Sequence, residues 1–279
     1  MSTSSGSYYL PTPSPWPIIT SAGLFVLALG FVLFVNNLSA GPWVMLAGAS
    51  IIIYMMFRWF GQVVGESEGG AYNHQVDLSF RWGMSWFIFS EVMFFAAFFG
   101  ALFYARQITL PVLGADELLW PGFDGAWPTS GPKGNPFNPM GAWGIPAMNT
   151  LILLTSGATV TWAHWGLLKN NRSQLVVGLA LTVALGLAFI ALQAYEYVHA
   201  YKELGLTLKA GIYGATFFML TGFHGFHVTM GTIMLIVILV RSMAGHFKPD
   251  NHFGFEAVAW YWHFVDVVWL GLFIFVYWV

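Results

Sequence analysis

The 279-residue chain contains no cysteine. Disulfides, thiolate metal centres and iron–sulfur clusters are therefore excluded. Charge is nearly as scarce. Ten Lys and Arg stand against twelve Asp and Glu, 8% of the residues, for a net charge of −2, where soluble domains carry about 25% charged residues. Ten scattered basic side chains cannot build a phosphate-neutralising footprint, so a nucleic-acid partner is excluded. Histidine is limited to eight, too few for the dense clusters of membrane oxygenases. No internal repeat is visible. The opening stretch MSTSSGSYYLPTPSPWP lacks the basic n-region of a signal peptide and the Arg of a transit peptide, so the first apolar span is expected to stay as a membrane helix.

What is present is apolar: 57% hydrophobic residues and a mean hydropathy of +0.67. Seven spans can be drawn, at residues 16–35, 42–60, 82–104, 144–167, 174–198, 210–241 and 255–279. Each approaches or exceeds the ~20 helical residues that cross a bilayer core, and polar, Gly or Pro residues punctuate them, which favours helices over barrel strands. The expectation is an all-α polytopic membrane protein in a single membrane domain, 1–279. Short loops decide orientation through Lys and Arg. With the N-terminus inside, Arg58, Arg81, Lys169, Arg172, Arg241 and Lys248 lie inside and Arg106, Lys133, Lys202 and Lys209 outside. The balance favours a cytoplasmic N-terminus and an outer C-terminus. The one long loop, 105–143, is rich in Pro and Gly and falls outside as a surface cap or partner contact. The loop 61–81 is acidic and inside. Small residues at four-residue spacing (Ala96 and Gly100, Ala97 and Ala101, Ala180, Ala184 and Ala188) are read as helix-packing faces.

Against this apolar background a few ionisable residues stand out. Glu91 lies near the middle of span 82–104, about 14 Å from its start, where a charge is disfavoured by roughly 2.5–3.5 kcal/mol. His224, His227, His263 and Asp266 fall at similar depth; Glu196 and His199 sit near an outer end and Glu256 at an inner one. Three readings compete for the layer. The polar groups satisfy one another and glue helices together; Glu91 handles a proton; or the layer binds a metal. His224-x-x-His227, His263-x-x-Asp266 and Glu196-x-x-His199 have a spacing that can share an ion, but a di-iron bundle needs two Glu-x-x-His motifs and two further Glu at one depth. This chain has one such motif. No metal site and no catalytic residue are assigned. The abundant Trp, Tyr and Phe are assigned to interface belts and helix packing.

Several stretches carry a more specific signal: Pro13-Ser-Pro-Trp-Pro17, Ser90-Glu-Val-Met-Phe-Phe95, Asn149-Thr-Leu-Ile-Leu-Leu154, Val160-Thr-Trp-Ala-His164, Leu192-Gln-Ala-Tyr-Glu196 and Thr221-Gly-Phe-His-Gly-Phe-His227. The longest is His252-Phe-Gly-Phe-Glu-Ala-Val-Ala-Trp-Tyr-Trp-His-Phe-Val-Asp-Val-Val-Trp269. In these, and in their order, the chain resembles subunit III of the haem–copper cytochrome c oxidases. The resemblance implies seven helices in two bundles, 1–2 and 3–7, forming a V-shaped cleft that holds phospholipid. It implies an accessory subunit of a proton-pumping oxidase, without haem or copper of its own, those lying in partner subunits. The implied partners are subunit I directly, subunit II in the same complex, phospholipid, and cytochrome c as the complex's substrate. Glu91 matches the family's carbodiimide-reactive glutamate, Arg241 and His246 match residues that meet lipid phosphate, and Trp59 lies where the family lines the cleft. The chain departs from the family at Asn73-His74-Gln75, where a His-Thr-Pro is usual, and near Ala244, where a lysine is usual. The bacterial plasma membrane is the expected location, ahead of the mitochondrial inner membrane. The rivals are the subunit III of a quinol oxidase, an independent proton-coupled transporter and a membrane di-iron enzyme.

Overall fold

The computed structural model describes residue 9 and residues 11–278. The N-terminal tail 1–8 and the last residue of the seventh expected span lie outside the described residues. Among the described residues no strand forms, and seven helices are long and apolar enough to cross a membrane. They are α1 (Trp16–Val35), α2 (Gly41–Glu68), α3 (His74–Gly114), α4 (Ile145–Leu168), α5 (Arg172–Lys202), α6 (Gly211–Ala244) and α7 (Phe253–Tyr277). The protein is an all-α, polytopic membrane protein.

Several helices run past the ends of their apolar stretches. The segment after residue 60 continues as helix to Glu68, and α3 starts at His74 and closes through a π-turn, Ala105–Thr109, and a last α-turn, Leu110–Gly114. Most of the expected loop 61–81 and the first part of the expected loop 105–143 are therefore helical. Hydropathy reports only the part of a helix that needs lipid. The 28 residues of α2 reach about 42 Å at 1.5 Å per residue, more than a ~30 Å hydrocarbon core, so its polar last turns project as helix.

The chain divides into two compact units, Met1–Phe80 and Arg81–Val279. In the first, α1 and α2 form a hairpin. A Cβ on Gly41 would lie 2.5 Å from the Phe34 backbone nitrogen, and one on Gly48 would lie 2.7 Å from the Leu27 Cα. Glycine at such crossings lets the two backbones meet. The open end of the hairpin is tied by Glu66, which accepts hydrogen bonds from Gln62 (2.8 Å), Tyr72 (2.8 Å) and Tyr9 (3.2 Å). Burial, and then the hydrogen bond it donates to the Glu66 carboxylate, hold the Tyr72 phenol above its ordinary range.

In the second unit α7 is the central helix. Phe255, Ala259, Trp262, Val265, Trp269 and Leu272 are all buried, and their spacing of three or four residues is one face of a helix. The two indoles do not merely fill space: Trp262 Nε1 donates to Ser156 Oγ and Trp269 Nε1 to Thr150 Oγ1, both at 2.9 Å on α4. Gly186 on α5 and Gly231 on α6 leave room for the Trp262 ring, since a Cβ at either would come within 3.0 Å of it. Asn171 caps α5 by accepting from the Gln174 N–H at 3.1 Å. At the other end, the long 115–144 connection packs Trp127 and Phe137 on Tyr213 at the start of α6, with ring centroids 5.3 and 5.1 Å apart.

Candidate functional site

The expected polar layer resolves into separate local pairs. Glu91 on α3 meets His227 on α6, Oε2 to Nε2 at 2.9 Å. The other ring nitrogen of His227, Nδ1, lies 2.6 Å from the Phe223 carbonyl. A carbonyl can only accept, so Nδ1 carries a hydrogen and donates it. Nε2 is then either a lone pair receiving a proton from a neutral Glu91 or the N–H of an imidazolium facing a carboxylate. In both states one proton lies between the two side chains. The rings of Phe94, Phe95, Tyr261 and Phe264 surround His227 at 5.0–6.4 Å between centroids. The pair thus sits in an apolar setting, where a shared proton keeps net charge low.

His224, three residues earlier, is fully buried and does not join this pair. Its Nε2 lies 3.2 Å from the Val265 carbonyl, and its ring packs between Phe189 and Trp269. His263 and Asp266 face each other across one turn of α7, Nδ1 to Oδ2 at 3.6 Å, and His263 Nε2 lies 3.3 Å from Thr161 Oγ1 on α4. Gly157 opens space for Asp266, because a Cβ there would collide with Oδ2. His263 is 45% exposed, and the two residues line an open groove of about 530 Å³ with Gly157, Thr161 and Trp165.

The residues expected to meet lipid are elsewhere. Trp59 is exposed on α2. Arg241, in the last turn of α6, holds its guanidinium over the Phe247 ring with Cζ 4.5 Å from the centroid. Gly245 ends that helix in the left-handed region at φ 91°, and the His246 N–H bonds back to the Arg241 carbonyl at 3.1 Å. Arg172 donates to the Ser242 carbonyl, placing a second cation at the negative end of the α6 dipole. Two guanidinium groups therefore lie at this helix end, with His246 next in the chain, and guanidinium donors suit an anion.

Some interactions carried no advance signal. Glu196 is buried and takes the Tyr277 hydroxyl at 2.6 Å, and Arg81 bonds Glu256 at 2.5 Å. Both join helices far apart in sequence.

A family model described as cytochrome c oxidase subunit III matches residues 6–279. The chain belongs to the cytochrome c oxidase subunit III family. It is 45% identical over 272 residues to the cytochrome c oxidase subunit 3 of Marchantia polymorpha, covering 97% of this chain and 96% of that protein. The subunit 3 of Arabidopsis thaliana is 44% identical over 273 residues, covering 98% and 96%. That of Drosophila melanogaster is 44% identical over 281 residues, covering 100% and 99%. The Glu91–His227 pair joins two apolar spans through ionisable side chains, and it is the site on which a functional reading turns.

Proposed function

We propose that this chain is the accessory subunit III of a proton-pumping cytochrome c oxidase, acting as one membrane domain. It binds subunit I directly, shares the complex with subunit II, and leaves haem, copper and the reaction with cytochrome c to its partners. Subunit III membership, taken from the match over residues 6–279, supports the assignment to that complex. The observation that carries a role for this chain within it is the Glu91–His227 hydrogen bond. One proton held between a carboxylate and an imidazole, in a setting poor in water, is a store that exchanges on demand. We assign it to proton supply or to protection of the complex during turnover, not to bond-making on oxygen.

A contact with a partner is supported by His263 and Asp266. A polar side chain 45% exposed midway along α7 is costly against lipid, and a second subunit covering the groove removes that cost. Phospholipid binding is assigned to Trp59, Arg241 and His246, the last two through the cationic cluster at the end of α6. The Lys and Arg balance supports a cytoplasmic N-terminus and periplasmic C-terminus in a bacterial plasma membrane.

The test is purification of the chain in mild detergent with an absorption spectrum of what accompanies it. A stoichiometric haem-containing partner is expected. A chain that runs alone and moves protons in liposomes would establish the transporter instead, and a quinol-oxidising, cytochrome c-inert complex would establish the quinol oxidase.

A further inference from the structure

A second group of ionisable side chains converges away from Glu91. His164 lies near the end of α4, His252 immediately before α7, and Glu256 in the first turn of α7. One potential ligand atom from each lies within 4.8 Å of the other two. Glu256 Oε1 is 3.4 Å from His252 Nε2 and 3.8 Å from His164 Nε2. Both nitrogens are buried and neither has a hydrogen-bond partner; the His252 side chain is 9% exposed. His252 Nδ1 donates to the Lys248 carbonyl at 3.0 Å, which in the neutral imidazole leaves Nε2 a lone pair pointed at a carboxylate oxygen. Acceptor faces acceptor out of reach of water, an arrangement that calls for a cation between them. The other carboxylate oxygen, Oε2, is held by Arg81, so Oε1 is the coordinating atom that remains.

We propose that His164, His252 and Glu256 form a binding site for a divalent transition-metal ion, best matched by Zn²⁺. Two imidazole nitrogens and one carboxylate oxygen suit zinc, whereas Mg²⁺ and Ca²⁺ take oxygen ligands. Zinc bonds of about 2.0–2.1 Å in a tetrahedron place ligand atoms about 3.3–3.4 Å apart. The Glu256–His252 gap already has that size, the Glu256–His164 gap is 3.8 Å, and the His164 side chain, 26% exposed, is the one that would move to complete the tetrahedron. The bond from His252 Nδ1 to a backbone carbonyl is the orienting contact that metal-binding imidazoles commonly make. Three protein ligands leave a fourth position for water. Zinc has no redox chemistry, so the site is separate from oxygen reduction; it joins α4 to the start of α7 and, through Arg81, to α3.

The purified membrane complex containing this chain, stripped with a chelator, is titrated with Zn²⁺ alone, and bound metal is counted per copy of the chain. His164→Gln and His252→Gln are each expected to lose one zinc equivalent, or to bind it at least about tenfold more weakly. Zinc X-ray absorption, taken as the difference between wild type and variant, is expected to show two imidazoles on the equivalent that is lost. Identical titrations for wild type and His164→Gln overturn the site, as does a difference spectrum without imidazole scattering. An imidazolium infrared band at these histidines in a wild-type complex that takes up no zinc also overturns it, a proton then being the cation. If His252→Gln fails to assemble, the His164→Gln variant, at the more exposed of the two histidines, decides the matter.

Discussion

Glu91 and His227 are separated by 136 residues and meet at 2.9 Å. Replacing Glu91 by Gln keeps a hydrogen-bond donor for His227 Nε2 and removes the ionisable group. Glu91→Gln is therefore expected to abolish carbodiimide labelling of this chain while oxygen consumption by the complex is largely kept; complete loss of oxygen consumption would contradict an accessory role. His227→Ala leaves the carboxyl without its partner, which costs about 1–3 kcal/mol, and thermal unfolding in detergent should show a lowered midpoint that Glu91→Gln does not share. Tyr72 gives a pH prediction in the first unit. Its pKa is raised in the folded state, so its hydrogen bond to Glu66 contributes stability fully below the unfolded value of about 10 and loses it as pH climbs through the higher folded value. The phenolate absorbance missing from Tyr72→Phe should thus appear only well above pH ~10; titration near the ordinary tyrosine value would show that Tyr72 is not held by Glu66.

Helices were legible as helices because length and apolarity are local properties. Which face of each one packs was not. Ala96, Ala97, Gly100 and Ala101, read from their spacing as a packing face, are exposed on α3, as are Ala180 and Ala184 on α5. The close approaches are made at Gly41 and Gly48 in the α1–α2 hairpin, at Gly178 against Ala163, and at Gly231 against Trp262. Spacing identifies a face that permits close approach; only a neighbour's presence makes it a contact. Gly231→Ala puts a methyl 2.8 Å from Trp262 Cε3, and overpacking of this kind costs about 1–3 kcal/mol. Trp262→Ala removes the buried indole outright and is expected to cost about 3–5 kcal/mol. Denaturation of both variants, read by tryptophan fluorescence or by loss of assembled complex, should rank Trp262→Ala as the more damaging.

For the molecule as a whole, the surface is apolar over most of its seven spans, and the polar exceptions mark where something other than lipid is expected. His263 and Asp266 are one such exception. Replacing both with Leu leaves neither partner orphaned, so the chain should still fold and insert; retention of a haem-containing partner through detergent purification should fall. Unchanged retention would remove this groove from the partner interface. Arg241→Ala should lower the phospholipid that co-purifies, measured as phosphorus per chain, and an unaltered ratio would take lipid binding away from this helix end.

The sequence by itself determined that this is a seven-span, all-α membrane protein, since each apolar stretch must satisfy its own backbone inside lipid. Its motifs carried the family as well. Glu91 was conspicuous for the same local reason: a carboxyl group in a long apolar run. Tertiary structure decided the pairings. It joined Glu91 to His227 rather than to His224, set Arg81 and two histidines around Glu256, and buried Glu196 against Tyr277. Those choices depend on which turn of one helix lies beside which turn of another, and helix crossings are set by the packing of side chains from remote parts of the chain.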